Sequence, residues 1–375
     1  MATEPIPILD DVVRMQKIDK RNLLRLINEL PEQCETALGI ANNLALEAFD
    51  TTPDNVYITG IGDSATAAVM ASTILSEYAS IPVITGDGVK LPEYVGENSL
   101  VIVMDYTGKS NSALRNMRSA KSRGASVICL SGSGRLMEQA AKDGIGRFTI
   151  PPGQPLRTAF GYLLLPIIVT IERLGLVKGE VEKLSHAIKL MKNAREVLRF
   201  ENPTVRNKAK QIAHRLHGKL PMIYGCCGHL ASVARRWKSQ ICSNSKMLAC
   251  SGTVLDLLSG DITGYELISR RADEIGIVLL HNPIERSPYA HLVSAVEETL
   301  DQFDVIVADV QGATITEKMF YGLYLGDYVS YYLALLNEVD PLATEYAQSL
   351  EAKVVGSFES QAPAPPVTPA NQEEA

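Results

Sequence analysis

The sequence predicts an α/β protein of two three-layer α/β/α domains, each with a mostly parallel sheet flanked by helices. Three observations predict it. Short apolar runs alternate with helical periods, which is how a parallel sheet covered on both faces reads. A strand, glycine turn and helix starting at Asn55 recurs at Lys219, a shift of roughly 165 residues that marks a duplicated domain and not a short solenoid repeat. The 375 residues, 46% hydrophobic and 21% charged, are enough for two domains of ordinary size.

Taken in order, the first fifty residues carry Val12, Val13, Ile18, Leu23, Leu24, Ile27 and Leu30 at helical spacing. Pro31 punctuates and the period resumes over 37–49, so two helices are expected ahead of the first sheet. Strands are expected at 55–59, 81–87, 99–108, 125–134 and 147–152, with helices at 65–76 and 112–124. Residues 159–171 read as a buried helix holding Pro166, and 178–200 as a charged helix broken by Asn202-Pro203. The second half repeats the pattern from 219, with further strands at 274–280 and 303–309 and a long helix at 316–337. The expected units are N-terminal helices (1–50), a first domain (51–178), a linking helix (179–210), a second domain ending in the long helix (211–354) and a disordered tail (355–375). That tail is Pro, Ala and Glu with almost nothing to bury.

The formal charge of −7, from 36 Lys and Arg against 43 Asp and Glu, argues against a polyanion partner and excludes nucleic acid as the principal one. The most apolar stretch, 159–171, is too short for a bilayer span, so no membrane partner is expected. Cys34, Cys129, Cys226, Cys227, Cys242 and Cys250 form no CxxC pair. With no secretory leader read at the start, they are expected to be reduced thiols in a cytoplasm. Neither a metal nor a cofactor is expected, because no HExxH, EF-hand or Cys/His pattern is visible.

The chemistry-bearing segments are two turns. Gly60-Ile61-Gly62-Asp63-Ser64 leaves a strand and opens a helix whose free amides carry partial positive charge, with the Ser64 hydroxyl beside them. Taken alone, that is equally an ordinary strand-to-helix turn with Ser or Asp as cap. Tyr106-Thr107-Gly108-Lys109-Ser110 ends another strand the same way, and Ser112 follows at the next helix start. After neighbouring parallel strands, both turns converge at the carboxyl edge of the sheet, where Gly62, Ser64, Thr107, Ser110 and Ser112 can surround one phosphate. A set of independent helix caps accounts for them about as well.

Two Ser/Thr-rich glycine turns in a five-stranded parallel sheet, duplicated along the chain, resemble the sugar isomerase (SIS) domain. Four blocks narrow the resemblance to the bifunctional phosphoglucose/phosphomannose isomerases: the G-x-G-x-S turn at Gly60, the Y-[ST]-G-x-[ST] turn at Tyr106, P-L-R-T-A-F-G-Y at Pro155 and R-R-W-K-S-Q at Arg235. A fifth, beginning at Leu323 with Asp340-Pro341 after it, resembles the family's final helix. The likeness runs in order from about Asn55 to Val354. It implies SIS-type domains, a cytoplasmic homodimer, and a small sugar phosphate as partner. The implied reaction opens a hexose 6-phosphate and moves a proton between C2 and C1 through a cis-enediolate. Arg157 falls where the family's P-R-A-A-x-G-Y block carries its active-site arginine, near the developing oxyanion.

The sequence departs from that family at the proton-moving positions. Where the family reads Q-I-N-E-N-x-K, with Glu as base, this chain has Ser243. Where L-N-H-N-E-I-x-G-W-E supplies the ring-opening His, it has Ser259. The family's assisting Lys on the terminal helix falls near Glu351 here, two residues from Lys353. An unassisted serine is a poor base near neutrality, so Asp261 and Glu266 are the candidate substitutes, with Asp256, His229, His281 and His291 behind them. Three readings stay open: an isomerase, a non-catalytic phosphosugar sensor or partner subunit, and an SIS enzyme for another sugar phosphate with relocated acid/base groups.

Overall fold

The computed structural model describes residues 8–43, 52–86, 88–284, 289–350 and 353. The chain opens with α1 (Val12–Ile18), α2 (Leu23–Asn28) and α3 (Leu30–Asn42), which corrects the expectation of two helices split at Pro31. Pro31 stands in the first turn of α3, where its missing N–H costs nothing. One break falls at Glu29, between α2 and α3, and the other at Asp19. Its carboxylate accepts from the amides of Leu23 and Leu24 at 2.8 and 3.0 Å and so starts α2. The expected continuation to Phe49 lies outside the described residues.

The first sheet holds β1 (Asn55–Thr59), β2 (Val83–Gly86), β3 (Ser99–Met104), β4 (Ser126–Ser131) and β5 (Gly146–Thr149), all parallel in the order β2-β1-β3-β4-β5. Between and after them run α4 (Asp63–Ser76), α5 (Asn111–Ser122), α6 (Gly134–Lys142) and α7 (Phe160–Arg173). Strand side chains alternate between two cores. Val56, Ile58, Leu100 and Ile102 pack on the side of α4 and α7, whereas Tyr57, Val101 and Val103 pack on the side of α5 and α6. That two-sided burial is why these strands read as apolar runs. In α7 every residue from Phe160 to Ile171, Pro166 included, is buried, and the helix packs against α3 and α4.

After α8 (Glu180–Leu198) and α9 (Lys208–Leu216) comes a second parallel sheet. It is built of β6 (Leu220–Gly225), β7 (Cys250–Thr253), β8 (Ile275–His281) and β9 (Asp304–Asp309) in the order β7-β6-β8-β9. Its helices are α10 (Gly228–Gln240), α11 (Val254–Asp256), α12 (Ile262–Ile268), α13 (Tyr289–Thr299) and α14 (Ile315–Leu336). Each sheet places its first strand between its second and third, so among the described residues the second repeats the order of the first with four strands in place of five. This is the expected duplication in three dimensions. Here α6, α9 and β7 are elements that sequence periodicity did not single out.

The two halves share one core. The helices that follow the two glycine turns, α4 and α10, pack on each other, and α14 is buried over almost its whole length against α8, α9 and α10. Trp237 of α10 donates its indole N–H to the carbonyl of Gly322 at 2.7 Å. One turn on, its ring lies against Gly326, where an added Cβ would come within 2.2 Å of Nε1. Beside it the fully buried Arg236 donates to both carboxylate oxygens of Asp327 at 3.1 and 3.2 Å and stacks on Phe160, 4.0 Å from the ring centre. The α4–α10 contact and this pair place the carboxyl edge of the first sheet next to the second domain.

Candidate active site

The first turn is shaped by close backbone contact. A Cβ on Gly60 would lie 3.0 Å from that of Ser64, and Gly62 has φ +61 with ψ −129, a conformation that excludes other residues. The turn therefore delivers Ser64 to the start of α4. Ser64 is buried and lines a small cleft of about 40 Å³ together with Thr59, Ser110, Asn116 and Leu156. Asn116 props the wall, donating to Thr59 Oγ1 at 3.2 Å and to the Gly88 carbonyl at 2.9 Å. Thus Ser64 and Ser110, expected to converge from two strands, do share one cavity.

The second turn is satisfied from within. Gly108 has φ +65, and a Cβ there would strike the Ser133 carbonyl oxygen at 1.7 Å. Ser110 caps α5 by accepting from the Ala113 amide at 3.3 Å. The carboxylate of Asp105 accepts from the Thr107 amide and hydroxyl at 3.2 and 3.1 Å and from the Ser110 amide at 2.7 Å. Thr107 is thereby exposed and turned to Asp105, and half-buried Ser112 sits on the first turn of α5. Asp105 was not singled out from sequence, although a carboxylate two residues before Thr107 is the usual signal for such a turn. An anion entering this cradle must take donors from Asp105.

Leu156 joins the cleft to a cationic centre. It begins the short 3₁₀ turn Leu156–Thr158, which carries Arg157. Arg157 donates Nε–H to Asn244 Oδ1 at 2.9 Å and a terminal N–H to the Pro341 carbonyl at 3.0 Å, while its own carbonyl accepts from Arg236 at 3.0 Å. Burial depresses its pKa, the charge of Asp63 opposes that, and Arg236 adds to it. Asp63 belongs to the first glycine turn, so the guanidinium and the cradle share one electrostatic neighbourhood. Asp327 is linked in as well, its pKa raised by burial against the pull of Arg236 and raised further by Asp63.

The altered segment lies against the same arginine. After α10 the chain makes a π turn, Ile241–Ser245, that ends at Lys246 in the left-handed region, φ +58. Asn244 is pinned to Ser330 Oγ at 3.0 Å, Ser245 donates to the Ser330 carbonyl at 2.7 Å, and Asn337 holds the Ser245 carbonyl at 2.8 Å. Half-buried Ser243 offers its carbonyl to the Lys246 ammonium, which also donates to the Pro341 carbonyl at 3.1 Å. Arg157 and Lys246 thus bracket one carbonyl oxygen. Sequence reading passed over Lys246; the signal available was its place at the end of the altered Q-I-N-E-N-x-K block.

The other candidates lie elsewhere in the second domain of the same chain. Asp261 is exposed and accepts from the Tyr224 hydroxyl at 3.0 Å. Glu266 and Ser259 are exposed on the helical run from α11 to α12, and Ser259 donates to the Asp256 carbonyl at 3.3 Å. The chain does not bring these three to the cleft wall or to Arg157. Asp256 serves a capping box with Thr253, and His281 ends β8 while His291 stands exposed on α13. His229 lies 3.4 Å from the Cys227 sulfur. Cys226 and Cys227 are buried thiols not joined in a disulfide and face different cores, as neighbouring side chains beside a strand should. No cluster of three or more His, Cys, Asp or Glu suited to a metal ion lies among the described residues, and no helix among them is long and apolar enough to cross a membrane. The position near Glu351 lies outside the described residues.

The chain is similar to known proteins over most of its length. Residues 51–138 match the SIS domain family, and residues 205–354 match the bacterial phospho-glucose isomerase C-terminal SIS domain. The chain is 33% identical over 330 residues to a bifunctional phosphoglucose/phosphomannose isomerase of Caldicellulosiruptor bescii, covering 88% of this chain and 97% of the relative. A protein of the same name from Thermoplasma acidophilum is 31% identical over 305 residues, 81% of this chain and 90% of the relative. Among solved structures, the C-terminal domain of glucosamine-fructose-6-phosphate aminotransferase from Francisella tularensis superposes with a TM-score of 0.64 at 16% identity. That match covers 84% of this chain and 95% of the other, a likeness of fold.

Proposed function

Because the chain belongs to the bifunctional phosphoglucose/phosphomannose isomerase family, we propose that it interconverts glucose 6-phosphate or mannose 6-phosphate with fructose 6-phosphate through a cis-enediolate. The observation that carries this reading is the convergence of Ser64 and Ser110 on one cleft whose wall, at Leu156, leads directly to Arg157. In this reading the two hydroxyls and the N-termini of α4 and α5 hold the phosphate, helped by Gly62, Thr107 and Ser112. The guanidinium of Arg157, fixed by Asn244 and Pro341, stabilises the oxyanion that develops at O1 and O2. Residues 51–178 and 211–354 are read as the two SIS domains. The protein is further read as a cytoplasmic homodimer, supported by exposed Leu248, Leu255, Leu258, Leu267 and Ile268 in the stretch 248–268. A second chain would then be the source of groups, Asp261 and Glu266 among them, that one chain keeps away from the cleft.

Ser243 and Ser259, standing where the family carries its base and its ring-opening imidazole, favour a second reading: a phosphosugar sensor that keeps the cradle without the chemistry. Solvent-proton exchange in deuterium oxide, at C2 of glucose 6-phosphate and mannose 6-phosphate and at C1 of fructose 6-phosphate, separates the two. Exchange by the purified protein is expected, falling about 100- to 1000-fold in Arg157→Met. Saturable binding without exchange in the unaltered protein would leave the sensor standing.

A further inference from the structure

The isomerase reading leaves a gap, since something must carry the proton and Ser243 cannot. The π turn that replaces the family's acidic segment ends in a residue with three unusual properties. Lys246 holds φ +58, a left-handed backbone conformation that non-glycine residues adopt at a cost of about 1 kcal/mol or more. The turn is over-determined by its bonds to Ser330 and Asn337 on and beyond α14, so this conformation is imposed. It aims the ammonium at the Pro341 carbonyl, the same oxygen that anchors Arg157, from 3.1 Å on one side while Arg157 approaches to 3.0 Å on the other. π turns are uncommon and frequently mark functional sites.

Resting on the isomerase reading, we propose that the Lys246 amine is the base that moves the proton between C2 and C1, with Arg157 beside it on the oxyanion. Written in balance, the neutral amine takes the C2 proton of the open-chain aldose, and the C–H electron pair forms the C1=C2 bond as O1 becomes anionic. The O2 proton passes to O1, leaving the negative charge on O2. The ammonium then returns its proton to C1 as the C2 carbonyl forms, giving the ketose and the free amine.

The surroundings suit such a base. The charged groups that face Lys246 are Arg157 on the 3₁₀ turn, Arg21 between α1 and α2, and Asp340 after α14. Burial together with the positive charge of Arg157 pulls its pKa down to about 8, Asp340 opposes the shift and Arg21 adds to it. Arg21 and Asp340 are themselves paired at 3.4 Å. About a tenth of the amine is therefore free at pH 7, where an ordinary lysine holds its proton almost completely.

The test is solvent-proton exchange at C1 of fructose 6-phosphate by the full chain, as a function of pH and in two variants. The expected outcome is a loss of about 100-fold or more in both Lys246→Met and Lys246→Arg with phosphosugar binding retained. In the unaltered protein kcat/KM should rise with pH and level off above an apparent pKa near 8. Near-normal exchange in Lys246→Met, or in Lys246→Arg should the Met variant not fold, overturns the proposal. So does a kcat/KM independent of pH between 6.5 and 9 (roughly one and a half units below that pKa to one above). A wild-type protein that binds but does not exchange removes the isomerase reading and this role with it; exchange that survives the substitutions removes only the role of Lys246.

Discussion

At the end of β1 the chain turns through Gly60 and Gly62 into α4, and at the end of β6 it turns through Gly225 and Gly228 into α10. Both turns bring backbone against backbone: a Cβ on Gly60 would meet Ser64 at 3.0 Å, and one on Gly225 would meet Leu230 at 2.4 Å. Their side chains differ. The first presents the Ser64 hydroxyl to a cleft, whereas the second presents two buried thiols, with Cys227 against His229 and the next hydroxyl, Ser232, already donated to the His229 carbonyl at 2.9 Å. Duplication has kept what the strand-to-helix geometry needs and changed what a phosphate needs. The second half gives to packing, and through Asn244 and Pro341 to Arg157, what the first half is proposed to give to binding.

That asymmetry can be broken at its joint. Asp327→Ala strips the partner from buried Arg236, leaving a charge without compensation between the two halves. A destabilisation of about 3–5 kcal/mol is expected by urea denaturation, with both domains affected together. A loss confined to a few tenths would mean that the pair is not what joins them. Next in size, Ser64→Ala removes a hydroxyl proposed to bind a charged group. Phosphosugar affinity should fall by about 1.5–3 kcal/mol by calorimetry, while Cys227→Ser leaves it unchanged. Equal effects would make the two turns functionally alike. Smallest in its effect on binding is Gly225→Ala, where a Cβ 2.4 Å from the Leu230 backbone forces α10 to shift and should cost about 3 kcal/mol or more of stability by urea denaturation without altering phosphosugar affinity. Gly60→Ala, with more room, should cost less stability and more binding.

The duplication, the strands buried on both faces and the convergence of Ser64 with Ser110 were legible because each leaves a local mark in apolar runs, glycines and hydroxyls. What the sequence hid was of two kinds. Some elements carry no pattern: β7 is Cys-Ser-Gly-Thr, small and polar, and becomes a strand only because β6 offers it an edge. Pro31 reads as a breaker and stands in the first turn of α3, while the further break at Asp19, whose carboxylate starts α2, leaves no mark in the apolar spacing. The electrostatic centre was hidden for another reason. Arg157, Arg236, Asp327, Asn244 and Lys246 acquire meaning from contacts 79 to 184 residues apart, and no short window contains them. Lys246 is the sharpest case, because its left-handed conformation is visible only once α14 is seen to hold the turn.

The anchoring of Arg157 also has a consequence for biosynthesis. The carbonyl that fixes its guanidinium lies 184 residues further along the chain. A ribosome therefore delivers the first sheet, with both serines of the cradle, well before it delivers Pro341. During that interval Arg157 has neither the Asn244 nor the Pro341 anchor that holds it in the folded chain. A message cut short between the two points would yield a chain with a cradle and no aimed guanidinium.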